Sequence, residues 1–108
     1  MIAVARIKKG PAVYVLRCRD GALYVGMSTD VKARVATHNA GRGAKALRGR
    51  LPVTLVMVVR CKSASDARRL EAALKRYRRA DRLRLVDGDR ALLRAAKTRA
   101  QRPRTTRR

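Results

Sequence analysis

Ala12-Val-Tyr-Val-Leu-Arg17, then Asp20-Gly21, then Ala22-Leu-Tyr-Val25: this stretch decides the fold. The first run is dense in β-branched and aromatic residues, the composition of a strand. Asp-Gly follows, and glycine tolerates the positive φ that a tight hairpin turn needs. The second run is the returning strand, which Gly26 is expected to end. Ser28-Thr29-Asp30 then offer side-chain oxygens to the free N–H groups of a helix start. A helix is expected over about residues 30–39, with Val31 and Val35 on one side and Gly41 and Gly43 stopping it.

Outward from that hairpin, residues 40–51 read as a basic, glycine-containing loop. Pro52 precedes Val53-Thr-Leu-Val-Met-Val-Val59, a nearly continuous apolar run that suggests a strand covered on both faces or nearly so. Ser63 or Ser65 caps a second helix, about Ala64 to Tyr77, whose apolar stripe is Ala67, Leu70, Ala73, Leu74 and Tyr77. Arg82 to Val86 and Arg90 to Lys97 read as shorter helical pieces. From about residue 98 the chain has almost no apolar residues, which predicts a disordered end. The order ββαβα plus tail is an α+β layout with a small antiparallel or mixed sheet.

The whole chain has 108 residues, most simply one domain, with 29 Lys+Arg against 7 Asp+Glu and a net charge of +22. Residues 1–10 form a basic N-terminal segment at +3, residues 11–88 the domain proper at +12, and residues 89–108 a basic C-terminal extension at +7. Codon bias accounts for part of the arginine excess but not for the missing acids, so a polyanionic partner is expected. The 46% hydrophobic share is too high for a purely disordered basic arm. Phe and Trp are absent, so aliphatic residues must build the core. Cys18 and Cys61 are too few for a disulfide framework and read as free thiols. No apolar run reaches the roughly 18 residues of a membrane span, and Met1 to Gly10 lacks a signal-peptide core. The cytoplasm is the expected location.

Candidate chemistry gathers on the hairpin and the first helix. Tyr14 and Tyr24 lie on paired strands, where an even register puts both on one face. Core rings are the plain alternative, although a buried phenol needs a partner. Arg34 and His38 are four apart and share a helix face; His38 is the only histidine. Glu71, the only glutamate, flanks the second helix's apolar stripe. An ion pair with Arg68 or Lys75 satisfies it in the simplest reading. A lone carboxylate can instead hold Mg²⁺, which keeps several waters and takes other ligands from phosphate. Arg42, Lys45, Arg48 and Arg50 make the 40–51 loop a candidate phosphate-backbone contact. It is not a Walker A loop, because no Gly-Lys-Ser/Thr opens a helix after a strand.

Together these residues resemble the GIY-YIG nuclease domain. The likeness runs through Val13-Tyr14, Tyr24-Val25-Gly26, Arg34, His38-Asn39, Gly41-x-Gly-Ala-Lys45-x-x-Arg48, Pro52-Val53-x-Leu55-Val56 and Glu71, over about residues 11–86. The loop is most similar to that of small, single-domain bacterial members. The resemblance implies a three-stranded antiparallel sheet flanked by helices. It implies that Tyr14 and Tyr24 line the active site and activate or orient the attacking water. Gly26 would permit a tight turn beside the site. Arg34 would bind the scissile phosphate, His38 would assist proton transfer or orient a tyrosine, and Glu71 would ligate one Mg²⁺ or Mn²⁺. The implied reaction is one-metal hydrolysis of a phosphodiester in DNA, or in RNA. Ala12 replaces the first Gly of the signature, and Val13 and Val25 replace isoleucines. Leu47 stands where a hydroxyl or aromatic residue is expected to meet substrate. Asn39 is the only asparagine, so the late active-site Asn of many members has no counterpart.

Two functions compete on this reading. One is a Mg²⁺-dependent DNA endonuclease or nickase, acting on damaged or branched DNA in repair or recombination. The other is a non-catalytic, basic nucleic-acid-binding protein on the same scaffold. Attachment to an anionic membrane is disfavoured, because the end of the chain lacks the apolar face of an interfacial helix.

Overall fold

The computed structural model describes residues 2–101. Its elements are β1 (Ala12–Arg17), β2 (Leu23–Ser28), α1 (Val31–Asn39), β3 (Thr54–Arg60), α2 (Ala64–Lys75), α3 (Arg79–Val86) and α4 (Arg90–Gln101). Single 3₁₀ turns stand at Val4–Arg6 and Lys45–Leu47. The three strands form one sheet in the order β2-β1-β3, antiparallel throughout. This is the α+β fold expected from the sequence.

The hairpin closes as its residues dictate. Gly21 takes φ +88°, and the Asp20 side chain accepts the N–H of Ala22. β2 does not stop at Gly26, as the sequence suggested, but runs on to Ser28. Asp30 caps α1 by accepting from the Ala33 N–H, and Ser63 caps α2 by accepting from Asp66.

β1 is the central strand, and its residues Ala12 to Leu16 are all buried. Alternation sends Val13 and Val15 to one face and Tyr14 and Leu16 to the other. On the first face they pack with Met57, Val59, and Ala67, Leu70 and Leu74 of α2. On the second they pack with Val31 and Val35 of α1 and with Leu47. β3 serves both faces through a bulge. Val15 pairs with Met57 and Leu16 with Leu55, so Val56 is the extra residue. The extra residue resets the alternation, which lets Leu55 join the Tyr14 side while Met57 and Val59 stay opposite. The apolar run of β3 is therefore buried at every second position and only half-buried between.

Both ends of the described chain are more integrated than their composition suggests. Ile2, Val4 and Ile7 pack on the Tyr14 side, and the Ile2 N–H bonds the Leu55 carbonyl. α4 lays Leu92, Leu93, Ala96 and Ala100 against the α2 side, with Ala96 fully buried. Residues 90–101 thus form one helix, which persists past residue 98 to Gln101. Amphipathic spacing explains this: Leu92, Ala96 and Ala100 recur every fourth residue under a basic outer face. The rest of the expected disordered end, residues 102–108, lies outside the described residues.

Candidate active site

The antiparallel register sets Gly26 of β2 directly opposite Tyr14 of β1. A Cβ at Gly26 would stand 2.5 Å from Tyr14 Oη and 2.6 Å from Cζ. Gly26 is therefore required so that the phenol can lie across β2. It makes no turn beside the site, because it sits inside the strand without a positive φ. Tyr24 pairs with Leu16, two residues along, and so shares the Tyr14 face.

α1 delivers His38 to these tyrosines. Residues 31, 35 and 38 fall on one stripe of a 3.6-residue helix, and all three are buried. His38 Nε2 lies 2.8 Å from Tyr14 Oη. The Tyr24 ring meets the imidazole edge-on, with centroids 5.7 Å apart at 70°. His38 is 1% exposed, as is Tyr14. Arg34, one turn earlier on α1, is half-buried.

The electrostatics follow from this packing. Burial pushes the Tyr14 phenol up to about 12, and the neighbouring Tyr24 adds to the rise. The Arg34 guanidinium beside the phenol opposes it, and the Glu71 charge reinforces it. Glu71 comes from α2, on the other side of the sheet, yet its charge is felt at Tyr14. Burial also holds His38 below the ordinary histidine value, and the Arg34 charge pushes the same way. Tyr14, Tyr24, Arg34 and His38 are thus gathered in one cluster, while Glu71 acts on it only through its charge and is itself paired with Lys75. The Glu71 side chain is 22% exposed, and Lys75 Nζ stands 3.1 Å from its Oε2. The simple ion-pair reading of Glu71 thus has its partner.

The basic loop is a built structure. Leu47 is 2% exposed and anchors the loop in the core. It is therefore not a substrate contact. The Arg50 N–H bonds the Leu47 carbonyl, and the Arg19 N–H bonds the Arg50 carbonyl. Arg42, Lys45 and Arg48 are exposed. Arg50 is also exposed but engaged, with its Nε 3.3 Å from Asp20 Oδ2.

Two contacts were not legible in the sequence. Asn39 pairs with the backbone of Val53 like a strand neighbour, accepting its N–H at 2.7 Å and donating to its carbonyl at 3.2 Å. That clamps the end of α1 to the start of β3. The other is the seat of Gly43 and Ala44 against the His38 ring, where the Ala44 N–H reaches Nδ1 at 3.3 Å. The signal for it was the Gly41-x-Gly spacing, which reads equally well as a loop breaker.

The GIY-YIG catalytic domain matches residues 10–84. The chain belongs to the GIY-YIG family. That family is a nuclease family, and the match takes in every residue of the cluster. Among the GIY-YIG chain's relatives is the UPF0213 protein SH2523 of Staphylococcus haemolyticus, 44% identical over 75 residues, covering 69% of this chain and 92% of that one. A second is the UPF0213 protein VNG_2274C of Halobacterium salinarum, 53% identical over 68 residues, covering 63% of this chain and 88% of the relative. The solution structure of protein EF2693 from E. faecalis superposes with TM-score 0.52 at 34% identity, covering 74% of this chain and 85% of the other. α4, from Arg90 to Gln101, lies beyond the matched GIY-YIG residues. Among the described residues no helix is long and apolar enough to cross a membrane.

Proposed function

We propose that this chain is a divalent-metal-assisted endonuclease or nickase, hydrolysing phosphodiester bonds in DNA by water attack. The observation that carries the reading is the convergence of Tyr14, Tyr24, Arg34 and His38, from two strands and a helix. A purely structural core gains nothing from placing its only buried histidine between two phenols beside a guanidinium. Such an arrangement suits a reaction that develops charge on phosphate oxygens.

Arg34 binds the scissile phosphate and offsets its growing charge. Tyr14 and Tyr24 orient the phosphate and the attacking water. At a value of about 12, Tyr14 keeps its proton at neutral pH and acts there as a hydroxyl. The exposed Arg42, Lys45 and Arg48 hold the flanking backbone without reading sequence. Glu71 would hold Mg²⁺ or Mn²⁺. The chemistry of the donor fits such an ion, because Glu71 offers a single hard, part-exposed carboxylate. Mg²⁺ accepts that arrangement because it keeps waters and takes phosphate oxygens. When bound, the cation supplies charge neutralisation at the phosphate and the leaving oxygen.

Labelled duplex, single-stranded, damaged and branched DNA, and RNA, incubated with Mg²⁺ or Mn²⁺, test the proposal. Wild type is expected to cut and Glu71→Gln is not. Failure to cut any substrate with either metal refutes the catalytic reading. Equal cutting by Glu71→Gln refutes the assignment of Glu71.

A second reading, nucleic-acid binding without catalysis, draws on the Lys75–Glu71 ion pair, which neutralises the carboxylate. It requires salt-sensitive binding, with log K falling against log salt by a slope of about −5 for about 6 phosphates contacted, and no scission. Cleavage by wild type that Glu71→Gln lacks eliminates it.

A further inference from the structure

Both ring nitrogens of His38 are engaged, and one partner leaves no choice of proton placement. Nδ1 faces the backbone N–H of Ala44 at 3.3 Å. A backbone N–H can only donate, so Nδ1 carries a lone pair. The ring proton is then on Nε2, which lies 2.8 Å from Tyr14 Oη. His38 is the donor of that bond and the Tyr14 oxygen its acceptor. The other tautomer, and the imidazolium, would both set an N–H against the Ala44 N–H in a buried place, where an unsatisfied polar group is costly. The low proton affinity that burial gives His38 agrees with a neutral ring.

This contact depends on residue 43 having no side chain. A Cβ at Gly43 would overlap His38 Nδ1 and stand 2.8 Å from His38 Cα and 2.9 Å from Cε1. The flanking residues, Arg42 and Lys45, are exposed cations. One short segment therefore carries phosphate-seeking charge outward and an N–H donor inward.

We infer that the Gly43–Ala44 backbone is a positioning element that locks His38 as its Nε2–H tautomer, so that the Tyr14 hydroxyl keeps its own proton as a donor toward the reacting phosphate. His38 is thereby excluded as a base at Nε2, since no lone pair is available there. Only the identity of the group receiving the Tyr14 proton rests on the nuclease reading. The tautomer itself follows from the hydrogen bonds alone.

The direct test is a long-range ¹⁵N–¹H correlation spectrum of the His38 imidazole in the whole protein near neutral pH. A protonated Nε2 and unprotonated Nδ1 are expected. A protonated Nδ1, in either the other tautomer or the cation, overturns the inference. This readout stands whether or not the protein cleaves DNA, so a failed nuclease reading is distinguishable from a failed tautomer. Where cleavage is measured, Gly43→Ala displaces the ring and should lower kcat at least about 10-fold, with KM changed less than about 2-fold. Gly49→Ala, in the same loop with open space around it, should leave both unchanged. A Gly43→Ala protein that retains wild-type kcat, or that retains the Nε2–H signature with a lowered kcat, overturns the positioning role.

Discussion

On one face of the sheet, Val13, Val15, Val25, Met57 and Val59 meet Ala67, Leu70 and Leu74 of α2 and Ala96 of α4. On the other, Tyr14 and Leu16 meet Val31, Val35 and His38 of α1 and Leu47 of the basic loop. The buried side chains of the first face are all apolar and without a ring, held by area and shape, and ask little of geometry beyond volume. The second holds a buried phenol and imidazole whose hydrogen bonds must all be met, and among the described residues no buried side-chain N or O lacks a partner. The comparison teaches a division of labour: the α2 face supplies stability, and the α1 face spends its packing freedom on fixing polar atoms.

The sharpest way to separate the faces is to remove one group from each. Arg34→Ala takes a cation from the polar side and should reduce cleavage about 10²–10³-fold, the usual effect of losing one charge-stabilising group, with the melting temperature nearly unchanged. Leu74→Ala empties a site that is 1% exposed on the aliphatic face. It should cost about 3 kcal/mol by denaturant unfolding, while cleavage per folded molecule stays at the wild-type level. If Arg34→Ala unfolds the protein, or Leu74→Ala abolishes the proposed cleavage by the folded protein, the division fails.

Smaller effects sharpen it. Tyr14→Phe strands the His38 Nε2–H and should cost about 1–3 kcal/mol, as an orphaned buried donor does, measured by unfolding near neutral pH. The same histidine sets a pH dependence. Its folded value lies below its ordinary one, because burial and the Arg34 charge disfavour the cation, with Tyr14 and Tyr24 the other titratable groups beside it. The unfolded chain therefore binds the proton that the folded chain refuses. Stability should be full above about pH 6.5 and decline as pH falls below it, before the carboxylates begin to titrate. His38→Gln should remove that slope from a series of melting curves. The smallest effect belongs to the surface. Asp20→Asn breaks the Arg50 pair, whose side chains are each 50% exposed. It should shift stability by less than about 1 kcal/mol and by still less at high salt.

The sequence set the strand hairpin, the order of elements and the short runs of cap candidates from which the structure uses Asp30 and Ser63. Each of these is local: a β-branched run, an Asp-Gly turn, a side-chain oxygen before a helix, a 3.6-residue stripe. Gly26 shows where local reading stops. A glycine after a short apolar run looks like a strand end, yet only the pairing of β1 with β2 reveals a phenol lying across it. Leu47 and Gly43 are of the same kind, since a loop leucine and a loop glycine say nothing of the core or the imidazole they meet. The arginines of α4 dominate its composition and mask its apolar stripe, while its burial depends on α2 being there to receive Ala96.

What the sequence by itself determined is therefore which chemical groups are present and on which strand or helix face each one starts. Period-2 and period-3.6 geometry follows from backbone sterics and needs no partner. What only the tertiary structure decided is who meets whom across elements: Tyr14 with His38, His38 with Ala44, Val56 as the bulge that lets β3 serve both faces. Those contacts depend on register and on space left by absent side chains, and both are properties of two packed segments, written in neither one alone.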